Sequence, residues 1–151
     1  MIELLGLNEH STVLDVGSGI GGPARYIAGK SGCSVTGVEL QSDLSEAGAE
    51  LTSRVRGLEG KINFVTGDFV SEKLELPHAS YDHLISLLVF LHIPDRAALL
   101  KRCYDTLTPG GSFVIEDFIE RGHRRSNRTV TRSSSLEDAE PKPSPQPSGK
   151  A

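Results

Sequence analysis

Five short apolar runs alternate with stretches of helical spacing between residues 11 and 118, and that alternation limits the fold more than any other feature of the chain. "STVLDVG" (11–17) is a β-branched and apolar run closed by glycine, as expected of a buried strand. "GGPARYIAGKSG" follows, with Pro23 suited to the first turn of a helix and Gly32 to its end. "SVTGVEL" (34–40) reads as a second strand and "KINFVTGD" (61–68) as a third. Between them Leu44, Ala47, Leu51, Val55 and Leu58 recur at steps of three and four. That spacing predicts a helix over 43–58 with Asp43 and Glu46 as a capping box. Tyr81–Phe90 is apolar for most of its length, like a strand covered on both faces. Asp95 can cap a helix running to Leu107, with Leu100, Tyr104 and Leu107 on one side. "TPGG" makes a turn before a fifth strand, "SFVIEDF" (112–118). Strand and helix alternating in this way predict an α/β domain: a doubly wound parallel sheet of about five strands, with right-handed crossovers and helices on both faces.

The pattern stops near Arg121. Residues 121–151, rich in Ser, Pro and Arg, lack the apolar content that would offset the entropy of ordering them, so a disordered tail is expected after a domain spanning 1–120. Charge divides at the same place. Residues 1–120 hold 9 Lys/Arg against 17 Asp/Glu, whereas 121–151 hold 7 against 3. An acidic body argues against a nucleic-acid footprint. Cys33 and Cys103 stand 70 positions apart with no Cys/His cluster beside them, as expected of free thiols in a reducing, cytoplasmic setting, and no metal site is expected. The longest apolar stretch, Leu84–Ile93, is about half the length of a membrane span.

"VLDVGSGIGGPAR" (13–25) is the segment that points to chemistry. Its glycines fit Gly17-x-Gly19-x-x-Gly22, the dinucleotide fingerprint, and equally Gly17-x-Gly19-x-Gly21. In a doubly wound sheet a ligand lies beyond the carboxyl ends of the strands, beside the first of them. The carboxylates there separate the two readings. Asp15 ends the first strand, Glu39 the second and Asp68 the third. Like charges about 4 Å apart repel by roughly 4 kcal/mol at the effective dielectric of a partly buried site, so Asp15 beside a pyrophosphate is a poor arrangement. Beside the ammonium and sulfonium of S-adenosylmethionine the sign reverses. Glu39 can accept from ribose hydroxyls under either reading. Asp68 can take an adenine amino group while Phe69 covers the ring. Acids at three strand ends, with no Arg or Lys in the loops, favour the methyl donor over a nicotinamide cofactor.

"VLDVGSGIGGPAR", "VTGVEL", "VTGDF", "YDHLISLLVFLHIPD" and "LTPGGSFVIEDF" together resemble the ordered motifs of class I S-adenosylmethionine-dependent methyltransferases. The "GSGIGGPAR" form is similar to the branch acting on small molecules such as sterols, tocopherols, phosphoethanolamine and sarcosine-type amines. The resemblance implies a Rossmann-like fold and methyl transfer to a small-molecule acceptor, an amine or similar metabolite. It also implies roles. Asp15, Gly17, Gly19 and Gly21 would lie against the methionine part of the cofactor. Glu39 would hold the ribose, Leu40 would pack on the adenine, and Asp68 and Phe69 would clamp it. Leu87 would line the sulfonium region, with His92 on the substrate side as candidate general base. Phosphoethanolamine-type relatives carry charged residues where Leu87 and Leu88 stand, so that substrate is not indicated. Family members have further helices before the first strand and further strands after the fifth. The expectation is therefore a truncated chain with its fifth strand left as an open edge able to pair with a partner. A cofactor-binding remnant without turnover is the alternative function.

Overall fold

The computed structural model describes residues 2–121 and 124–132. A short helix α1 (Ile2–Leu5) is followed by β1 (Thr12–Val16), α2 (Gly22–Ser31), β2 (Ser34–Glu39), α3 (Ser42–Ser53), β3 (Ile62–Thr66) and β4 (Tyr81–Leu87). After a 3-10 turn (Phe90–His92) come α4 (Arg96–Thr106), β5 (Leu107–Arg121) and β6 (Arg124–Arg132). One sheet results, in the order β3-β2-β1-β4-β5-β6. Its first five strands are parallel, as the alternation of runs predicts.

Each face of the sheet has its own core. Val13, Val35 and Ile85 pack under Ala24, Ile27 and Ala28 of α2. Leu14, Val16, Val38 and Leu84 pack under Leu99 and Cys103 of α4, with Phe69 and Leu74 beside them. Successive residues of one strand thus serve opposite layers, which is why these strands read as continuous apolar runs. Gly32 closes α2 in the left-handed conformation (φ 75°), its N–H donating to the Ala28 carbonyl at 2.9 Å. Asp95 caps α4, its Oδ1 accepting from the Ala98 N–H at 2.9 Å.

The structure corrects several expectations. β4 stops at Leu87 instead of Phe90, because Leu88 takes φ 58° and turns the chain out of the sheet. α3 ends at Ser53, and neither Asp43 nor Glu46 caps it. Its buried residues are Ser45, Gly48 and Thr52, one position off the apolar stripe. Small side chains are needed there because α3 lies close against Phe64 of β3. α4 shows the same offset: Leu99, Cys103 and Thr106 are buried, while Leu100 and Tyr104 are 53% and 62% exposed. His83 is half-buried and shares a 2.9 Å hydrogen bond between its Nδ1 and Ser112 Oγ.

The largest difference is at the edge. β6 lies antiparallel to β5, from Phe113 opposite Arg132 to Arg121 opposite Arg124, so the fifth strand is not the open edge and cannot pair there with a partner. An edge strand formed by a hairpin needs backbone bonding and little apolar content, so "RRSNRTVTR" gives only a faint signal, and its charges suit an outer edge. Residues 122–123 and 133–151 of the expected disordered tail lie outside the described residues.

Gly48 tests how closely α3 approaches. Glycine in a helix interior usually loses about 1 kcal/mol to alanine. A Cβ on Gly48, however, would stand 2.9 Å from Phe64 Cε1 and 3.1 Å from the carbonyl carbon of Ile20, a backbone atom that cannot swing aside. Gly48→Ala is expected to lower the unfolding free energy in urea by about 1–2 kcal/mol, against the propensity. A more stable variant would mean that the contact is not as close as described.

Candidate functional site

The turn between β1 and α2 is built on backbone bonds to β2. The N–H groups of Gly17 and Ser18 both donate to the Val38 carbonyl, at 2.8 and 3.0 Å. Gly19 donates to Glu39 Oε2 at 2.8 Å, and Gln41 to Glu39 Oε1 at 3.1 Å. Gly17, Gly19 and Gly21 all have positive φ (74°, 52° and 76°), which a side chain would strain. The three glycines differ in what lies above them. A Cβ on Gly17 would fall 2.2 Å from Val89 Cγ2, and one on Gly21 2.4 Å from Phe64 Cζ, so both are packed. Gly19 has nothing within 4 Å of that position and faces open space.

A cleft of about 460 Å³ opens beside this turn at the carboxyl ends of the strands. Six of the residues singled out in the sequence meet in its wall: Gly17, Glu39, Leu40, Asp68, Phe69 and His92. Glu39 is buried, Asp68 and His92 are exposed, and the Leu40 side of the wall is open to solvent. Phe69 belongs to the core under α4 and turns only part of its surface to the cleft. Asp68 Oδ1 accepts from the Val70 N–H at 3.1 Å, which holds the short turn after β3. No Lys or Arg among the described residues lines the cleft. Arg25, in the first turn of α2, instead donates through Nη1 to the Ile20 carbonyl at 2.6 Å and to Thr52 Oγ1 at 3.3 Å, tying the turn to α3.

Four of the singled-out residues do not line it: Gly19 and Gly21, in the turn itself, and Leu87 and Asp15. Leu87 floors a second cleft of about 620 Å³ between α1 and α2, shared with Ile2, Pro23 and Tyr26. His92 is thus separated from Leu87 by the turn that joins them. Asp15 lines neither cleft. It is 2% exposed, and its Oδ2 has no hydrogen-bond partner among the described residues; neither does Ser18 Oγ, buried close by in the same turn. Val13, two residues before Asp15, and Ile85, two before Leu87, both belong to the core under α2, so Asp15 and Leu87 share that face of the sheet. Burial, with the Glu39 carboxylate adding repulsion, pushes Asp15 up to about 7. Val89, which packs over Gly17, carried no signal in the sequence because it is one of several apolar residues in a run.

The comparisons agree with this architecture. Residues 14–115 match the family profile described as "Methyltransferase domain". The chain belongs to that family. A sterol 24-C-methyltransferase of Kluyveromyces lactis is 32% identical over 114 residues, 76% of this chain and 30% of that protein. Cycloartenol-C-24-methyltransferase 1 of Oryza sativa is 36% identical over 126 residues, 83% of this chain and 36% of that one. Among solved structures, a putative sarcosine dimethylglycine methyltransferase from Galdieria sulphuraria superposes with a TM-score of 0.71 at 29% identity, covering 78% of this chain and 42% of the other. Phosphoethanolamine N-methyltransferase 2 of Haemonchus contortus, in complex with phosphomonomethylethanolamine and S-adenosylhomocysteine, gives 0.68 at 28% identity, covering 74% of this chain and 25% of the other. The methyltransferase domain described here therefore spans well under half the length of these relatives.

Asp15 gives a test in solution. Its folded-state value lies above the ordinary 3.8, so between about pH 4 and 7 the unfolded chain has released a proton that the folded chain still holds. Stability therefore falls as pH rises through that window and levels off above it. Subtracting the unfolding free energies of Asp15→Asn from those of the wild type should isolate this slope. If the difference is flat from pH 4 to 7, the carboxyl is not buried as described.

Proposed function

We propose that this methyltransferase domain binds S-adenosylmethionine and transfers its methyl group to a small-molecule acceptor. The observation that carries the proposal is the sign of the charge around the glycine turn: beneath it an Asp15 carboxyl whose Oδ2 has no partner among the described residues, Glu39 and Asp68 in the cleft wall, and no cation among the described residues that line it. A buried carboxyl without a partner is destabilising by about 1–3 kcal/mol unless a ligand relieves it, and a cationic ligand does so where a diphosphate would add repulsion. The donor set fits the cofactor for these reasons.

When bound, S-adenosylmethionine supplies a methyl group already activated by its sulfonium. The chain's own residues bind and align. Glu39 spends one lone pair of each oxygen on the Gly19 and Gln41 N–H groups, and each oxygen keeps another for a ribose hydroxyl. Leu40 and Phe69 offer apolar surface to the adenine, with Asp68 at its edge. Gly19, open above, lets the ligand approach the backbone. Asp15 and Leu87, on the α2 face, belong with the methionine end and the reacting methyl. The acceptor, an amine or similar metabolite, would enter through the cleft between α1 and α2. There the apolar surface of Tyr26 and Leu87 would align it, the main source of rate in a direct displacement. His92 lines the cofactor cleft, across the turn after β4 from the acceptor cleft, so it would act as base only for an acceptor that reaches around that turn. The two buried free thiols support a reducing, cytoplasmic location, and no helix among the described residues is long and apolar enough to cross a membrane.

Calorimetric titration with S-adenosylmethionine, S-adenosylhomocysteine and NAD is the direct test. Binding of the first two and not the third is expected, and the reverse would overturn the proposal. Glu39→Ala should weaken the binding by about 1–3 kcal/mol. Methyl transfer to a panel of labelled-product acceptors then separates an enzyme from a domain that only holds cofactor. If His92 is the base, His92→Ala should lower kcat about 10²–10⁴-fold with KM little changed. An unchanged kcat would leave His92 with a role in shaping the turn.

A further inference from the structure

β5 outruns β4. Leu87, the last residue of β4, lies opposite Glu116, and β5 continues to Arg121. The protruding end of β5 runs beside the segment that leaves β4, and two bonds join them. The Leu88 N–H donates to the Glu116 carbonyl at 2.7 Å, and the Leu91 N–H donates to Asp117 Oδ2 at 2.7 Å. Asp117 Oδ1 accepts from its neighbour, the Phe118 N–H, at 2.8 Å, which orients the carboxylate. Leu91 lies in the 3-10 turn Phe90–His92, whose own N-cap, Val89, offers no side-chain acceptor. Asp117 thus caps this turn from another strand. The remaining bonds of the turn are local: His92 N–H to the Val89 carbonyl at 2.9 Å, Ile93 N–H to the Phe90 carbonyl at 3.0 Å, and the Arg96 guanidinium to the Phe90 carbonyl.

What the turn carries is the wall of the cofactor cleft. Val89 and His92 both line it, and the Val89 methyls lie against the backbone of Gly17. The backbone that places them leaves β4 through Leu88, a non-glycine residue at φ 58°, so the segment is strained at its start and needs an external hold.

We infer that Asp117 is a positioning residue: its carboxylate holds the turn after β4 so that Val89 and His92 stand against the glycine turn in the geometry that receives the cofactor. The inference rests on the cofactor reading above. Asp117 itself touches the turn and not the cleft, since it is not among the lining residues. A charged acceptor on a backbone N–H is stronger than a neutral one, so asparagine, which keeps one acceptor oxygen, should serve in part and alanine not at all.

The test reads the turn and the cleft separately. Amide hydrogen exchange on the ligand-free protein should show Leu91 exchanging about tenfold faster in Asp117→Ala, with Asp117→Asn in between and the amides of β1 unchanged. S-adenosylhomocysteine should bind about tenfold more weakly to Asp117→Ala, with most of the affinity recovered in Asp117→Asn. In a Val89→Ala background the same alanine change should cost less than about twofold, because the two act through one contact. Unchanged exchange at Leu91 would overturn the inference. So would faster exchange with unaltered affinity, or a general rise in exchange that includes β1, which would mark a purely structural role. If the wild type binds no S-adenosylhomocysteine, the cofactor reading fails, and with it the positioning role, while exchange at Leu91 still reports whether Asp117 holds the turn.

Discussion

The carbonyl of Val38 receives two hydrogen bonds, from the N–H groups of Gly17 and Ser18, and the carboxylate of the next residue, Glu39, receives a third from Gly19. These bonds fasten the turn after β1 to the end of β2. Three consecutive amides can reach these two neighbouring acceptors only if the backbone curls tightly, and it does so by taking positive φ at Gly17 and Gly19. Much else follows from that curl. It launches α2 from Gly22, it leaves Gly19 uncovered, and it buries Asp15 and Ser18 beneath itself. Gly37 on β2, opposite Asp15, has no side chain because a Cβ there would stand 2.7 Å from Ser18 Oγ.

The carboxyl ends of the strands are also where the molecule departs from its most comfortable arrangement. Asp15 is buried with an unpartnered oxygen close to a second acid, Glu39, and Leu88 adopts a backbone conformation that side chains disfavour. At the opposite end of the sheet Asp82 is well partnered. Asp82 Oδ2 accepts from the N–H and the Oγ1 of Thr12, at 2.9 and 2.8 Å, and so joins β4 to the start of β1. An unpartnered buried carboxyl and a strained non-glycine residue coincide at the carboxyl ends of the strands, which fits a place where a ligand is received, although Ala79 (φ 46°) before β4 and the buried Arg102 Nε on α4 show that neither feature is unique to that end.

Two clefts flank the glycine turn, and the segment from Leu87 to His92 separates them. The division suits a group transfer between two ligands, with the donor's nucleoside on one side and the acceptor on the other. The turn capped by Asp117 is the partition between them, and its position is set by β5, a strand that contributes no residue to either wall. The site is therefore assembled from the whole width of the parallel sheet and not from the glycine segment alone.

The local pattern was sufficient for the parallel strands and for the residues at their ends. Apolar runs closed by Gly17, Glu39 and Asp68 mark both the strand and the tip that lines the cleft, because the chain must leave the sheet at that place whatever surrounds it. The caps at Gly32 and Asp95 were legible for the same reason, since capping depends on neighbours three or four residues away. Tertiary structure decided the rest. The buried faces of α3 and α4 lie one residue from their apolar stripes, because depth of approach to the sheet, not periodicity, selects Gly48 and Cys103. β6 pairs through its backbone, which composition does not register. The separation of Leu87 from His92, the burial of Asp15 and the hold of Asp117 on Leu91 each depend on strands distant in sequence being brought side by side.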